Sequence, residues 1–194
     1  MERNSSKVNQ KSAEKADFWL IKECFFDNLV TMIDYLFKKN YLTMIENSVK
    51  GENWMFRNFY IEKEGEIKDS LEDGKNSCAV FVSTILYSYN SLLENLGKSR
   101  WIKFIHLTVA STEKDLKENN WYEIKDLKPG AVLIWEKKDG RNGEPHNHIG
   151  FFIRGEEAIS NSSKSTGFPW KHHVTYNGTR KIEEILWHPS LDEN

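Results

Sequence analysis

The feature that most constrains this chain is a change of texture at Pro129-Gly130. Before it, apolar residues recur at three- and four-residue steps; after it come short apolar runs broken by turn residues. Phe18, Ile21, Phe25, Leu29, Met32 and Leu36 form a helical stripe with Asp17 placed to cap it. From Cys78, the residues Val82, Ile85, Tyr89 and Leu92 share one helical face running on to Leu93, with Asn76 or Ser77 as N-cap. A shorter helix is expected from Ser111 to Asn119, capped by Ser111 or Thr112. The later runs predict about five strands: Ala131 to Glu136, Asn147 to Ile153, Glu157 to Asn161, Lys171 to Tyr176 and Ile182 to Trp187. Asn177-Gly178 reads as a type I′ turn joining the last two as a hairpin. Helices that lead and strands that follow predict an α+β fold, its helices packed on one face of an antiparallel sheet. The mixed stretch from Asn40 to Asp73 supports no assignment.

The 194 residues fit one domain, residues 16–194, behind a polar tail over 1–15. Within it a core of about 74–190 follows a helical extension over 16–73. Formal charge is -2, with 27 basic and 29 acidic side chains. That balance offers no basic excess to neutralise many phosphates, so nucleic acid is not an expected partner. The polar start lacks the apolar core of a secretion signal, and no apolar run is long enough to span a bilayer. The expectation is a chain that is cytoplasmic as synthesised. Cys24 falls within the first helical stripe, where a buried inert thiol is the usual meaning, rather than half of a disulfide with Cys78.

Chemistry points to the order of two segments, NSCAVFVSTIL with Cys78 and HNHIGFFI with His148. A thiol at a helix start, with an imidazole brought to it, has the parts of a nucleophile and its base. Alternation on the second segment puts Ile149, Phe151 and Ile153 on the core face and His148, Gly150 and Phe152 on the other. The helix start is expected to pack against the His148 face, where Gly150 leaves room for a substrate or another element. Such a pair needs a third group to orient the imidazole. In AISNSS the candidates are Ser160, favoured by register, and Asn161, favoured by its amide oxygen.

The segments NSCAVFVSTIL, LKPGAVLIWE, HNHIGFFI and AISNSS resemble, in order and spacing, the nucleophile helix and three following strands of papain-like peptidases of the NlpC and CHAP types. The likeness covers about residues 76–162. It departs from the NlpC pattern at Ser77 and Ala131, where that pattern carries Asp, and carries neither a histidine nor a carboxylate at Ser160 or Asn161. The resemblance implies a papain-like fold, Cys78 as nucleophile, His148 as general base, and Asn161 or Ser160 as the orienting residue. It implies a cysteine peptidase or amidase acting on peptidoglycan stem peptides, with no cofactor, reaching that substrate by lysis or a dedicated secretion system. An intracellular amide or isopeptide hydrolase, and a binding module that has lost the chemistry, are the alternatives.

His146, His148, His172 and His173 suggest a metal site only superficially, because the vicinal pair points to opposite strand faces and no acidic or cysteine ligand stands at a suitable spacing. No metal is expected. Most of the tryptophans belong to the core, while Phe168-Pro169-Trp170, in a Ser- and Gly-rich loop, is the candidate groove wall.

Overall fold

The computed structural model describes residues 35–139, 145–162 and 165–192. The chain divides into two units, residues 1–36 and 37–194. The helix expected from Phe18 falls, up to residue 34, outside the described residues, as does Cys24.

The second unit opens with helix α1 (Phe37–Asn47), which buries Phe37, Tyr41 and Ile45 at four-residue steps. Its Tyr41 hydroxyl donates to the Gly130 carbonyl at 2.9 Å. Gly130 has φ +95°, and a Cβ there would lie 2.9 Å from the Tyr41 ring. The Pro129-Gly130 boundary is thus a turn only glycine fits, pinned to a helix distant in sequence.

The stretch that the sequence leaves unassigned holds a short 3-10 turn (Trp54–Phe56) and a hairpin of β1 (Tyr60–Lys63) with β2 (Glu66–Asp69). Helix α2 (Cys78–Ser88) follows; the expected single helix breaks at Tyr89, and α3 (Asn90–Asn95) continues it. Helix α4 (Val109–Glu118) starts earlier than expected, because Thr108 supplies the cap by accepting the Ser111 N–H.

Six strands form the main sheet: β3 (Tyr122–Glu123), β4 (Val132–Asp139), β5 (Pro145–Arg154), β6 (Glu157–Asn161), β7 (Pro169–His173) and β8 (Ile182–Trp187). All neighbours are antiparallel, in the order β3-β8-β4-β5-β6-β7. The fold is therefore α+β. One expectation fails here: β7 and β8 are not a hairpin. Tyr176, Asn177 and Gly178 do take positive φ, so the chain turns. It then leaves β7 on the sheet's far side, and β8 pairs with β4 and β3. A turn signal fixes a local reversal and leaves open which strand the next segment joins.

The helices cover one face of the sheet. Phe151 of β5 meets Phe81 of α2 at 5.6 Å and Tyr41 of α1 at 5.9 Å between ring centroids. Helix α2 thus lies on the Ile149 and Phe151 face, not on the His148 face as expected. Buried aromatics continue the core through Phe37, Tyr89 and Trp101. Among the described residues, no helix is long and apolar enough to cross a membrane.

Candidate active site

The start of α2 is fixed by the loop before it. The Asp69 carboxylate accepts the N–H groups of Phe59, Leu71 and Asp73 and the Asn58 amide. Burial raises this carboxyl, but those donors outweigh it and bring its pKa to about 2. Glu72, Asp73 and Gly74 then run in the left-handed region, and a Cβ on Gly74 would fall 2.1 Å from the Gly167 carbonyl oxygen. Asn161 closes this contact, its Nδ2 donating to the carbonyls of Gly74 at 2.7 Å and Gly167 at 3.3 Å. Asn161 is therefore a clasp between two loops. Its amide does not reach His148.

Ser77 occupies the N-cap position of α2 without capping it; its hydroxyl turns back to the Gly74 carbonyl at 3.0 Å. Donors at the helix start are left for the thiol of Cys78, which is not in a disulfide. Burial pushes that thiol up, while the N–H groups of Ile149, Ala79 and Cys78 itself and the Arg180 charge act in the other direction.

The Ile149 N–H is available for a reason of register. Phe152 donates to Ala131 on the β4 side, so by alternation Ile149 faces the β6 side. Registered pairing with β6 begins only at Gly150↔Ser160, one residue beyond it. The Ile149 N–H, on the residue next to His148, thus acts on the Cys78 thiol, while no hydrogen bond joins that thiol to His148 Nδ1.

His148 is buried, and its Nε2 lies 2.8 Å from Ser160 Oγ. The same oxygen lies 2.9 Å from His172 Nε2 and 3.0 Å from the Tyr176 hydroxyl. Proton directions follow. His172 Nδ1 faces the His173 carbonyl at 2.8 Å, which only accepts, so Nδ1 carries a hydrogen. Burial, opposed by that carbonyl, brings His172 down to about 4, so its ring is neutral near pH 7 and Nε2 is an acceptor. Ser160 spends its one proton on His172. It accepts from the Tyr176 O–H, held protonated by burial at a pKa of about 12, and from the Nε2–H of His148.

His148 is thereby held with hydrogen on Nε2 and a lone pair on Nδ1. That Nδ1 is buried and has no hydrogen-bond partner among the described residues. Burial, then the charges of Arg180, His172 and His146, hold its pKa well below the usual histidine range. Both shifts favour the same state, a neutral thiol and a neutral imidazole.

Gly150 does not open space for a substrate. A Cβ there would lie 2.4 Å from the Ile159 carbonyl oxygen, 2.7 Å from Ser160 Cβ and 3.1 Å from the Trp135 ring, so its bareness lets β6 and Trp135 close on the histidine.

Two cavities border the pair. One, about 430 Å³, is lined by Cys78 with Lys75, Asn76, Thr108 and Lys137; the other, about 390 Å³, by His148 with Asn161, Trp170, Tyr176 and Arg180. His146 lines both. Trp170 takes the expected place on a groove wall, whereas Phe168 packs against Trp54 and Arg57. His173 turns from His172 toward Thr175 and Glu156. Among the described residues, no group of three or more His, Cys, Asp or Glu side chains is placed to hold a metal ion.

In the sequence His172 suggests only a metal ligand, and no motif marks Tyr176 or Arg180. Period-two alternation on β7, registered by the Ser160↔Trp170 pair, is the signal that puts His172 on the His148 face. No protein-family model matches this chain, and no curated protein matches it.

Proposed function

We propose that the protein is a papain-like cysteine hydrolase of amide bonds, a peptidase or amidase of the NlpC or CHAP kind, with Cys78 as nucleophile and His148 as base. The observation that carries the reading is the bare Nδ1 of His148, its tautomer set through Ser160, one residue from the N–H directed at the Cys78 sulfur.

The neutral pair defines how such a site works. As the sulfur attacks the substrate carbonyl carbon, His148 Nδ1 takes the thiol proton, and Ser160 Oγ holds the imidazolium through Nε2–H. The Cys78 N–H at the uncapped helix start faces the developing oxyanion. His148 returns the proton to the departing amine as the C–N bond breaks, leaving a thioester. Water, losing a proton to His148, then releases the acid and restores the thiol. Of the candidates for the orienting position, geometry favours Ser160, with Asn161 holding the loops that frame Cys78.

Resemblance makes peptidoglycan stem peptides the leading substrate, met after lysis or through a secretion machine; an intracellular amide or isopeptide is the alternative. Incubation with purified peptidoglycan and with small amide substrates, followed by mass spectrometry of the products, tests this. New termini that depend on Cys78 support the hydrolase; none from any substrate refutes it.

A second reading has its own support. Burial holds thiol and imidazole neutral, and the two line different cavities, as in a papain-like binding module without turnover.

A further inference from the structure

Arg180 is the side chain near this pair that the mechanism leaves unused. Its guanidinium is half-buried in the wall of the His148 cavity, with Nε donating to the Glu136 carbonyl at 3.0 Å and Nη2 to the His146 carbonyl at 2.9 Å. Two of its five N–H donors are thus used to aim it. Among the described residues it makes no ion pair with a carboxylate.

The nearby acids are otherwise engaged. Glu136 accepts the Lys181 N–H and faces Lys138, and Glu183 accepts the Asn147 amide. The other cation of the cavity, Lys138, donates to the Thr179 carbonyl. Among the described lining residues Asp139 alone carries a carboxylate. A half-buried guanidinium held by carbonyls, with N–H donors to spare and the carboxylates of Glu136 and Glu183 acting on it only from beyond ion-pair distance, fits a bidentate anion. Its charge also bears on Cys78, His148 and His172, so it lies within electrostatic reach of the reacting atoms.

We propose that Arg180 is the anion subsite of this cleft, so that the amide substrate carries a carboxylate close to the scissile bond and pairs it with the Arg180 guanidinium. Trp170 and Tyr176 supply apolar walls beside that carboxylate, and Lys75 and Lys137 extend the positive field into the cavity of Cys78. The inference rests on the hydrolase reading.

Alkylation of Cys78 tests it without a known substrate. Iodoacetate carries a carboxylate and iodoacetamide of nearly the same size does not; each forms an S–C bond and releases iodide. Rates at Cys78, read by peptide mapping, give an iodoacetate-to-iodoacetamide ratio for the native protein and for the same protein unfolded in urea. The expected native ratio exceeds the unfolded one by about tenfold, the worth of one charge-assisted contact. Arg180→Met abolishes the excess, and Arg180→Lys keeps much of it. In the wild type, added salt lowers the ratio, a measurement no folding defect touches. A native ratio equal to the unfolded one, or an excess that survives Arg180→Met, overturns the subsite. Reaction that depends on His148 but shows no preference between the reagents sinks the subsite alone; reaction with both that is indifferent to His148→Ala sinks the hydrolase reading and the subsite with it.

Discussion

Ser160 gives its only hydroxyl proton to His172 Nε2, 2.9 Å away, and this fixes which nitrogen of His148 is left bare. The tautomer of the candidate base is therefore set two strands away, where the His173 carbonyl claims His172 Nδ1. Strand β6 carries the message, with its Ser160 opposite Gly150 on one side and Trp170 on the other.

Replacing that hydroxyl separates orientation from packing. Ser160→Ala leaves His148, His172 and Tyr176 each short of a buried partner, and the expected loss of stability is about 1–3 kcal/mol. Alkylation of Cys78 should slow by about tenfold or more as the His148 ring loses its set direction. Urea denaturation and labelling rates measure the two; wild-type labelling would remove Ser160 from the orienting role.

Asn161→Ala behaves differently. It cuts the clasp from Gly74 to Gly167 and leaves the Ser160 contact intact. Stability should fall by about 1–3 kcal/mol, while the proton on His148 Nε2 stays in place. Nitrogen chemical shifts of the His148 ring report the tautomer directly and should match the wild type.

Acid destabilises this site. His172, at about 4 in the folded protein against 6.5 unfolded, binds its proton more readily in the unfolded chain. Its contribution is complete above 6.5 and is lost as pH falls toward 4. Between pH 7 and pH 5 the loss is on the order of 2 kcal/mol from this residue, and the lowered His148 adds to it with the same sign. The Asp69 window lies lower, between 3.8 and about 2. Denaturation midpoints across this range check the sign; equal stability at pH 7 and pH 5 contradicts it.

Gly150→Ala tests the close approach of β6. With a Cβ placed 2.4 Å from the Ile159 carbonyl oxygen, strand β6 must shift and take Ser160 with it. The variant should lose about 1–3 kcal/mol and label Cys78 slowly. Wild-type behaviour in both assays would mean that the strand accommodates a methyl group without disturbing the relay.

How much of this is legible in the sequence differs by element. The strands Glu157–Asn161 and Ile182–Trp187 match their expected bounds, because turn and breaker residues flank them, Gly155 and Ser162 around the first and Gly178 and Pro189 around the second. The β3 strand is two residues long and leaves no pattern to read. The β1–β2 hairpin is nearly all exposed, so its strands lack an apolar face and the alternation that would mark them. At the site, alternation singled out the His148 face, but the choice between Ser160 and Asn161 needed the register of β5 on β6. The roles of His172 and Arg180 depend on contacts across strands, which no local pattern encodes.

The reaction of Cys78 with iodoacetamide at neutral pH reports whether His148 accepts the thiol proton as the sulfur attacks. In the folded protein His148→Ala should slow this reaction by about tenfold or more, while in the urea-unfolded chain, where burial no longer holds the thiol neutral, it should change nothing. A folded-state rate indifferent to His148→Ala would mean that the imidazole takes no part in the chemistry of the thiol.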